Sequence, residues 1–135
     1  MLRPDGFVFA AGISRFNSLV DGLVHGYLFD PDSRQFVAQD LATGPLRNPA
    51  EHPGWFTSAY FHHPDLVETE ARRAGPHEIE VLGNQGITSS SFAQIAEDWE
   101  DPAHRENTLE AIRVTESEPS LSGLSAHMLI VARHA

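Results

Sequence analysis

The densest group of side chains that could do chemistry lies in residues 55–63. Its members are Trp55, Phe56, Tyr60, Phe61, His62 and His63. Aromatic rings with a few polar groups are typical of ligand pockets, so Trp55, Phe56 and Tyr60 are predicted to bind a substrate. Tyr60 or His62 could position a nucleophile or take its proton, because histidine titrates near neutrality. The alternative is structural: the rings pack in the core, and His63 caps a helix.

A second candidate site consists of Ser14, Arg15 and Phe16, which follow an apolar run at residues 7–11. Ligands of α/β sheets bind outside the carboxyl ends of strands, so these three residues are predicted to face a substrate. Arg15 could hold a substrate carboxylate through a bidentate contact. The alternative is a surface arginine or an ion pair at a helix start.

Other reactive residues are poorly spaced for chemistry. The possible metal ligands His52, His62, His63 and Asp65 include neither an i, i+4 histidine pair nor a His-Glu-x-x-His pattern, and no metal site is predicted. The serines at 89–91 lack the Gly-x-Ser-x-Gly turn of a hydrolase. The acidic run at 97–101 is typical of a solvated surface and a helix start.

The composition excludes several classes of protein. The chain has 135 residues, of which 41% are hydrophobic, enough for one domain with a packed core. It has no cysteine, which fits a reducing compartment. Its net charge of −10 disfavours binding to nucleic acid. No apolar run approaches the roughly 18 residues that span a membrane, and the N-terminus lacks the plan of a signal peptide. The sequence therefore predicts a soluble, cytoplasmic protein.

Three apolar segments predict β-strands. A turn at residues 4–6 leads into residues 7–11, whose unbroken apolar character is typical of a strand covered on both faces. Residues 78–82 alternate and predict a half-exposed or edge strand. Residues 126–132 are nearly continuous and predict a central strand.

Helical segments and one long loop separate these strands. Residues 43–56 carry three prolines and two glycines and predict a loop. Helices are predicted at 16–28, from Asp30-Pro31, from His63-Pro64 to a Gly75 cap, at 92–99, and from Asp101-Pro102. This order of elements indicates an α/β fold.

Several stretches of the sequence resemble one known family. LRPDGFVFAAGISRF resembles the turn and following strand of class I S-adenosylmethionine-dependent methyltransferases. PGWFTSAYFHHPDLVETEARRAG, HEIEVLGNQG and SAHMLIVARHA resemble the later segments of the members that act on small molecules. The resemblance spans essentially the whole chain but only the C-terminal half of the family's domain. It implies a partial Rossmann-like sheet, in which the strands at 7–11, 78–82 and 126–132 correspond to the fifth, sixth and seventh. The seventh is antiparallel between the other two.

The resemblance also implies S-adenosylmethionine as a cofactor and residues 43–62 as a cover over the substrate. The family's cofactor site uses a glycine-rich turn after the first strand, an acid at the end of the second and residues flanking the fourth. None has a counterpart in this sequence, which lacks a Gly-x-Gly-x-x-Gly pattern. No residue of this chain is therefore predicted to bind the cofactor.

These observations predict a single domain over residues 1–135 that is a truncated, C-terminal portion of a small-molecule methyltransferase and is inactive alone. The strand at 7–11 would lack its natural neighbour, and an open strand edge is a template for association. The expected partners are a second copy or a chain that carries the missing half. Two alternatives stay open: a non-catalytic interaction protein that uses this edge, and a small-molecule-binding module.

Overall fold

The computed structural model describes residues 5–47 and 58–134. Within these ranges, α-helices and β-strands are mixed along the chain. The elements are β1 (Phe7–Ser14), α1 (Asn17–Val24), α2 (Pro31–Thr43), β2 (Pro45–Arg47), β3 (Ser58–His62), α3 (Pro64–Arg73), β4 (His77–Gly83), α4 (Phe92–Glu97), α5 (Pro102–Thr115) and β5 (His127–Arg133). Short 3₁₀ turns lie at Tyr27–Phe29, Gly86–Ser91 and Ser122–Leu124.

The strands form one open sheet in the order β2–β3–β1–β5–β4. Strand β5 is antiparallel to both β1 and β4, so those two strands run in the same direction. Strand β3 is parallel to β1, and the short β2 pairs only with β3. The predicted α/β class is confirmed, as are the three predicted strands, the central place of β5 and the edge place of β4.

The proline- and glycine-rich segment contains more regular structure than its composition predicts. Pro45–Arg47 pairs antiparallel with Ser58–His62, so the prediction of a continuous loop over 43–56 is wrong at residues 45–47. Proline is tolerated at the first residue of a strand and on an edge strand, and β2 meets both conditions. Thr43 also departs from the prediction because it ends α2, and residues 48–56 of the predicted loop lie outside the described part of the chain.

The predicted helix starts are confirmed by their caps. The Asp30 carboxylate accepts a hydrogen bond from the Ser33 N–H at 2.7 Å, and the Asp101 carboxylate accepts from the N–H groups of Ala103 and His104. These backbone hydrogen bonds lower the pKa of Asp30 and of Asp101. At α3, the His63 ring accepts from the Asp65 N–H at 3.3 Å. Each helix carries a proline in its first turn, where the missing N–H costs no hydrogen bond.

The core lies between α3 and one face of the sheet. Val67 of α3 packs against Met128 and Ile130 of β5, and all three side chains are buried. Ala71, Ile79 and Val81 pack around them. Every second residue of β5 points to this face, so the even-numbered positions of the strand are its buried ones.

The prediction that the strand at residues 7–11 is buried on both faces is wrong. Phe7 is 55% exposed and Phe9 is 67% exposed. Phe9 lies opposite Val131, on the other face of the sheet from Met128, and α3 covers only the Met128 face. An unbroken apolar run therefore forms a strand whose phenylalanine face is exposed and whose other face is only partly covered by the described residues.

One edge of β1 is also largely unpaired. The strand pairs with β5 along its whole length but with β3 only at Ile13 and Ser14. The bonds from Ser14 N–H to the Ala126 carbonyl (2.9 Å) and from His134 N–H to the Gly6 carbonyl (2.8 Å) place even-numbered residues of β1 in the bonded pairs. The backbone groups of Phe7, Phe9 and Ala11 therefore face away from β5, along an edge with no strand among the described residues.

None of the helices in residues 5–47 and 58–134 has the length and apolar character needed to cross a membrane.

Candidate functional site

Ser14 ends β1 as a buried residue with a structural hydrogen-bond pattern. Its side chain is fully buried, and its hydroxyl donates to the Gly123 carbonyl at 3.1 Å. The same oxygen accepts a hydrogen bond from the Phe16 N–H at 3.3 Å. The hydroxyl therefore ties the end of β1 to the turn before β5.

Arg15 lies beneath the surface and not on it. It is 8% exposed, and its Nε–H donates to the Phe61 carbonyl at 3.3 Å. Its guanidinium packs over Gly44, where a Cβ would come 2.8 Å from Nη2 and 2.6 Å from the Phe61 carbonyl oxygen. Gly44 has a φ of 90°, a conformation that favours glycine. Arg15 thus joins the end of α2 to β3.

Phe16 packs at the same end of the sheet. Its ring meets the His63 ring edge to face, with centroids 5.4 Å apart. A Cβ on Gly123 would come 3.0 Å from the Phe16 ring, so the glycine permits close packing there. The three residues after the predicted strand therefore come together, in contacts with the protein itself.

Tyr60 and His62 lie next to one another on β3. Their rings are 4.8 Å apart and tilted by 67°, and Tyr60 is 46% exposed. His62 lies beside Ser14 in the parallel ladder, at the carboxyl end of both strands. This is the end of an α/β sheet at which ligands bind.

Glu70 of α3 completes a pair with His62. The His62 Nδ1 and a Glu70 carboxylate oxygen are 2.5 Å apart, and the two side chains are 31% and 30% exposed. In a neutral imidazole, a carboxylate that accepts from Nδ1–H fixes the tautomer and leaves Nε2 as the acceptor. Nε2 has no hydrogen-bond partner among the described residues.

The pair lies in an apolar groove of about 230 Å³ between the open edge of β1 and α3. The described residues that line it are almost entirely aliphatic, and the polar ones among them are His62 and Glu70. The lining residues are Val8, Ala10, Ala11, Gly12, His62, Val67, Glu70, Ala71, Ala74, Pro76, Ile130 and Ala132. This is the candidate site that the fold assembles, and it contains one of the predicted site residues.

Some of the other predicted site residues lie outside the part of the chain that the structure describes. Trp55 and Phe56, predicted to bind substrate, and His52 lie outside the described residues. In the described ranges, no group of three or more histidine, aspartate or glutamate side chains is placed to hold a metal ion.

S-adenosylmethionine does not fit the described residues at this end of the sheet. Ser14 and the Nε of Arg15 already bond to backbone carbonyls. The groove beside His62 is smaller than the roughly 300–1,000 Å³ of pockets that enclose drug-sized ligands.

Comparison with known proteins adds no family assignment: no family model matches the chain, and no curated protein matches it.

Glu70 and Asp40 are polar residues that the sequence did not single out. Glu70 is eight residues from His62, and its pairing depends on how α3 turns back over β3, which no motif encodes. Asp40 is 2% exposed on α2. Burial raises the pKa of Asp40 to about 6, although Ser18 partly offsets this by stabilising the carboxylate. The Ser18 hydroxyl makes no hydrogen bond within normal distance and angle limits, so burial dominates the pKa of Asp40.

Asp40→Asn is expected to stabilise the protein more at pH 8 than at pH 4. The folded state keeps the Asp40 proton up to about pH 6, whereas the ordinary value is 3.8. The stability that comes from protonated Asp40 is fully present below the ordinary pKa of 3.8, and it is lost as the pH rises through the folded-state pKa of about 6. The variant should therefore gain up to about 3 kcal/mol over the parent across this window. Urea unfolding at both pH values measures it, with the exposed Asp98→Asn as control. An equal difference at pH 4 and pH 8 would contradict the buried ionisation.

Proposed function

We propose that this chain is the C-terminal portion of a class I S-adenosylmethionine-dependent methyltransferase domain that acts on a small molecule. The cofactor pocket belongs to a complementary front half that carries the glycine-rich strand, turn and helix. The reaction class is methyl transfer to an oxygen, nitrogen or carbon nucleophile, and the chain alone is inactive.

The strand order carries this proposal. Strand β5 is antiparallel between two strands that run in the same direction, β1 and β4. That is the arrangement which the sequence resemblance implies for the fifth, seventh and sixth strands of the family. It is a specific arrangement, because parallel strands joined by helices do not place an antiparallel strand between them by default.

The unpaired edge and the exposed phenylalanines of β1 support the same proposal. Its edge groups at Phe7, Phe9 and Ala11 point away from β5, and the two phenylalanines are more than half exposed. Strands of parallel α/β sheets are usually covered on both faces, so this strand has the character of an interior strand with one neighbour absent. A parallel strand from a front half would cover the edge, and its helices would cover the phenylalanines.

Reconstitution with a front half tests the proposal. The front half of a small-molecule class I methyltransferase would be joined to this chain by a flexible linker, which raises its effective concentration at the edge. We expect S-adenosylmethionine to bind the joined protein in calorimetry, and neither the lone chain nor the lone front half to bind comparably. The matched variants Phe9→Glu and Phe29→Glu separate edge pairing from charge alone, because Phe29 is 88% exposed and lies outside the sheet. If Phe9→Glu left the affinity of the joined protein for S-adenosylmethionine unchanged, the proposal would be contradicted.

A second candidate function, small-molecule binding by the chain itself, is favoured by the groove. It is lined by apolar residues and has a polar pair at one end. The groove lies on the α3 face of the sheet, and the exposed phenylalanines lie on the other face.

A further inference from the structure

We propose that the groove between β1 and α3 binds a small, apolar molecule of the phenol class, whose hydroxyl donates a hydrogen bond to Nε2 of His62. The proposal deepens the proposed function, on which it rests only in naming this molecule as the methyl acceptor. Binding itself is a property of the chain alone and is tested on the chain alone.

The walls of the groove select an apolar body. Its floor is formed by Ile130 and Ala132 of β5, its near side by Val8 and Ala10 of β1, and its far side by Val67 and Ala71 of α3. A volume of about 230 Å³ suits a single substituted ring. Burying a ring against aliphatic side chains is favourable in proportion to the apolar area removed from water.

The polar pair selects a hydrogen-bond donor. The Glu70 carboxylate lies 2.5 Å from Nδ1 of His62 and accepts its hydrogen, so Nε2 is an acceptor when the ring is neutral. The other polar group that lines the groove is Glu70 itself, which is also an acceptor. A ligand hydroxyl can therefore donate a hydrogen bond to one of these acceptors. A carbonyl or ether oxygen has no hydrogen to donate and cannot make this contact.

Local charge disfavours an anionic ligand. A carboxylate or phosphate in the groove would lie beside the Glu70 carboxylate, in a chain with a net charge of −10. Among the described residues that line the groove there is no arginine to offset that repulsion. A neutral hydroxyl compound satisfies the acceptor without the cost of placing like charges together.

Gly12 leaves room for the imidazole of His62 beside β1. A Cβ at Gly12 would come 3.2 Å from Cδ2 of His62 and 3.8 Å from Nε2, so the ring lies directly against the backbone of β1. Gly12 and His62 both line the groove, so the imidazole lies at that wall. A side chain at this position would displace the ring from the groove wall.

Matched ligands test the hydrogen bond on the full chain. The probes are 4-ethylphenol, its methyl ether 4-ethylanisole, and 4-ethylbenzoate, followed by amide chemical shifts in NMR titrations. We expect 4-ethylphenol to shift the amides of Ala10, Gly12 and Ala71 and to bind about five- to tenfold more tightly than the ether, the value of one hydrogen bond. We expect the benzoate to bind more weakly than the phenol.

Matched variants assign the effect to His62. His62→Phe keeps a planar ring and removes Nε2, and it should abolish the preference for the phenol over the ether. His25→Phe removes a histidine that also contacts an acid, Asp21, but lies outside the groove, and it should leave the preference unchanged. Ala10→Leu fills the groove and should weaken both ligands about equally; it keeps the test informative if His62→Phe does not fold.

Each outcome decides the proposal. Equal binding of phenol and ether would reduce the groove to a non-specific apolar site, tighter binding of the benzoate would mean that His62 is a cation, and no binding would remove the site. Any of these would overturn the proposal. None depends on S-adenosylmethionine, so failure of the front-half reconstitution leaves the outcome of this experiment unchanged.

Discussion

Phe61→Ala is expected to lower the free energy of unfolding by about 3–5 kcal/mol, the usual cost of removing a large buried aromatic side chain. Phe61 is 1% exposed and lies on β3 where that strand meets β1. Its N–H donates to the Gly44 carbonyl at 2.8 Å, and its carbonyl accepts from Arg15. The cavity would therefore open where α2, β1 and β3 are joined.

Chemical denaturation with two companion variants measures this loss. Phe29→Ala removes the same ring from a site that is 88% exposed, and it should change stability by less than about 0.5 kcal/mol. Phe61→Leu leaves a smaller cavity and stays measurable if the alanine variant does not fold. A Phe61→Ala protein as stable as Phe29→Ala would contradict the placement of β3 in the sheet.

Phe9→Glu is expected to weaken self-association of the chain by about 30- to 1,000-fold, the range of a central interface residue. A dimer is expected because the edge of β1 has unpaired backbone groups beside the exposed Phe7 and Phe9. In a two-fold antiparallel pairing centred on Phe9, Phe7 of one copy lies opposite Ala11 of the other. All of these residues have edge-facing backbone groups, so the ladder closes without a mismatch.

Light scattering over a range of protein concentrations tests this association. The parent should change from monomer to dimer, and added salt should favour the dimer because each copy has a net charge of −10. Phe29→Glu introduces the same charge outside the sheet and should dimerise like the parent. A parent that stays monomeric, or a Phe9→Glu dimer as tight as that of Phe29→Glu, would contradict pairing through β1.

The local chemistry of the chain predicted the elements well. A nearly continuous apolar run at residues 126–132 predicted a central strand, and the alternation at 78–82 predicted an edge strand. A strand buried on both faces has few polar residues, whereas a strand buried on one face alternates between apolar and polar residues. Asp30, His63 and Asp101, each followed by a proline, specified three helix starts, because capping depends on neighbours a few residues away. The mixed α/β class followed from the order of these elements.

The candidate site was predicted only at His62. Trp55 and Phe56 lie outside the described residues, and the proposed roles of Tyr60 and Arg15 stay predictions. Arg15 is buried against the Phe61 carbonyl, a contact 46 residues away in the chain that no local pattern announces. Glu70 was missed because the angle between β3 and α3, and not its spacing from His62, brings its carboxylate to the imidazole.

By itself, the sequence determined which segments are strands, where the helices begin, and that the chain carries a large negative charge. The tertiary structure decided which strands are neighbours, that Pro45–Arg47 and Ser58–His62 join the sheet, and that Phe9 is exposed although its segment is as apolar as a buried one. The physical reason is that a hydrophobic period records a preference for burial but not the partner that provides it. That partner is set by contacts between distant parts of the chain, and for β1 the described residues provide it on one face only.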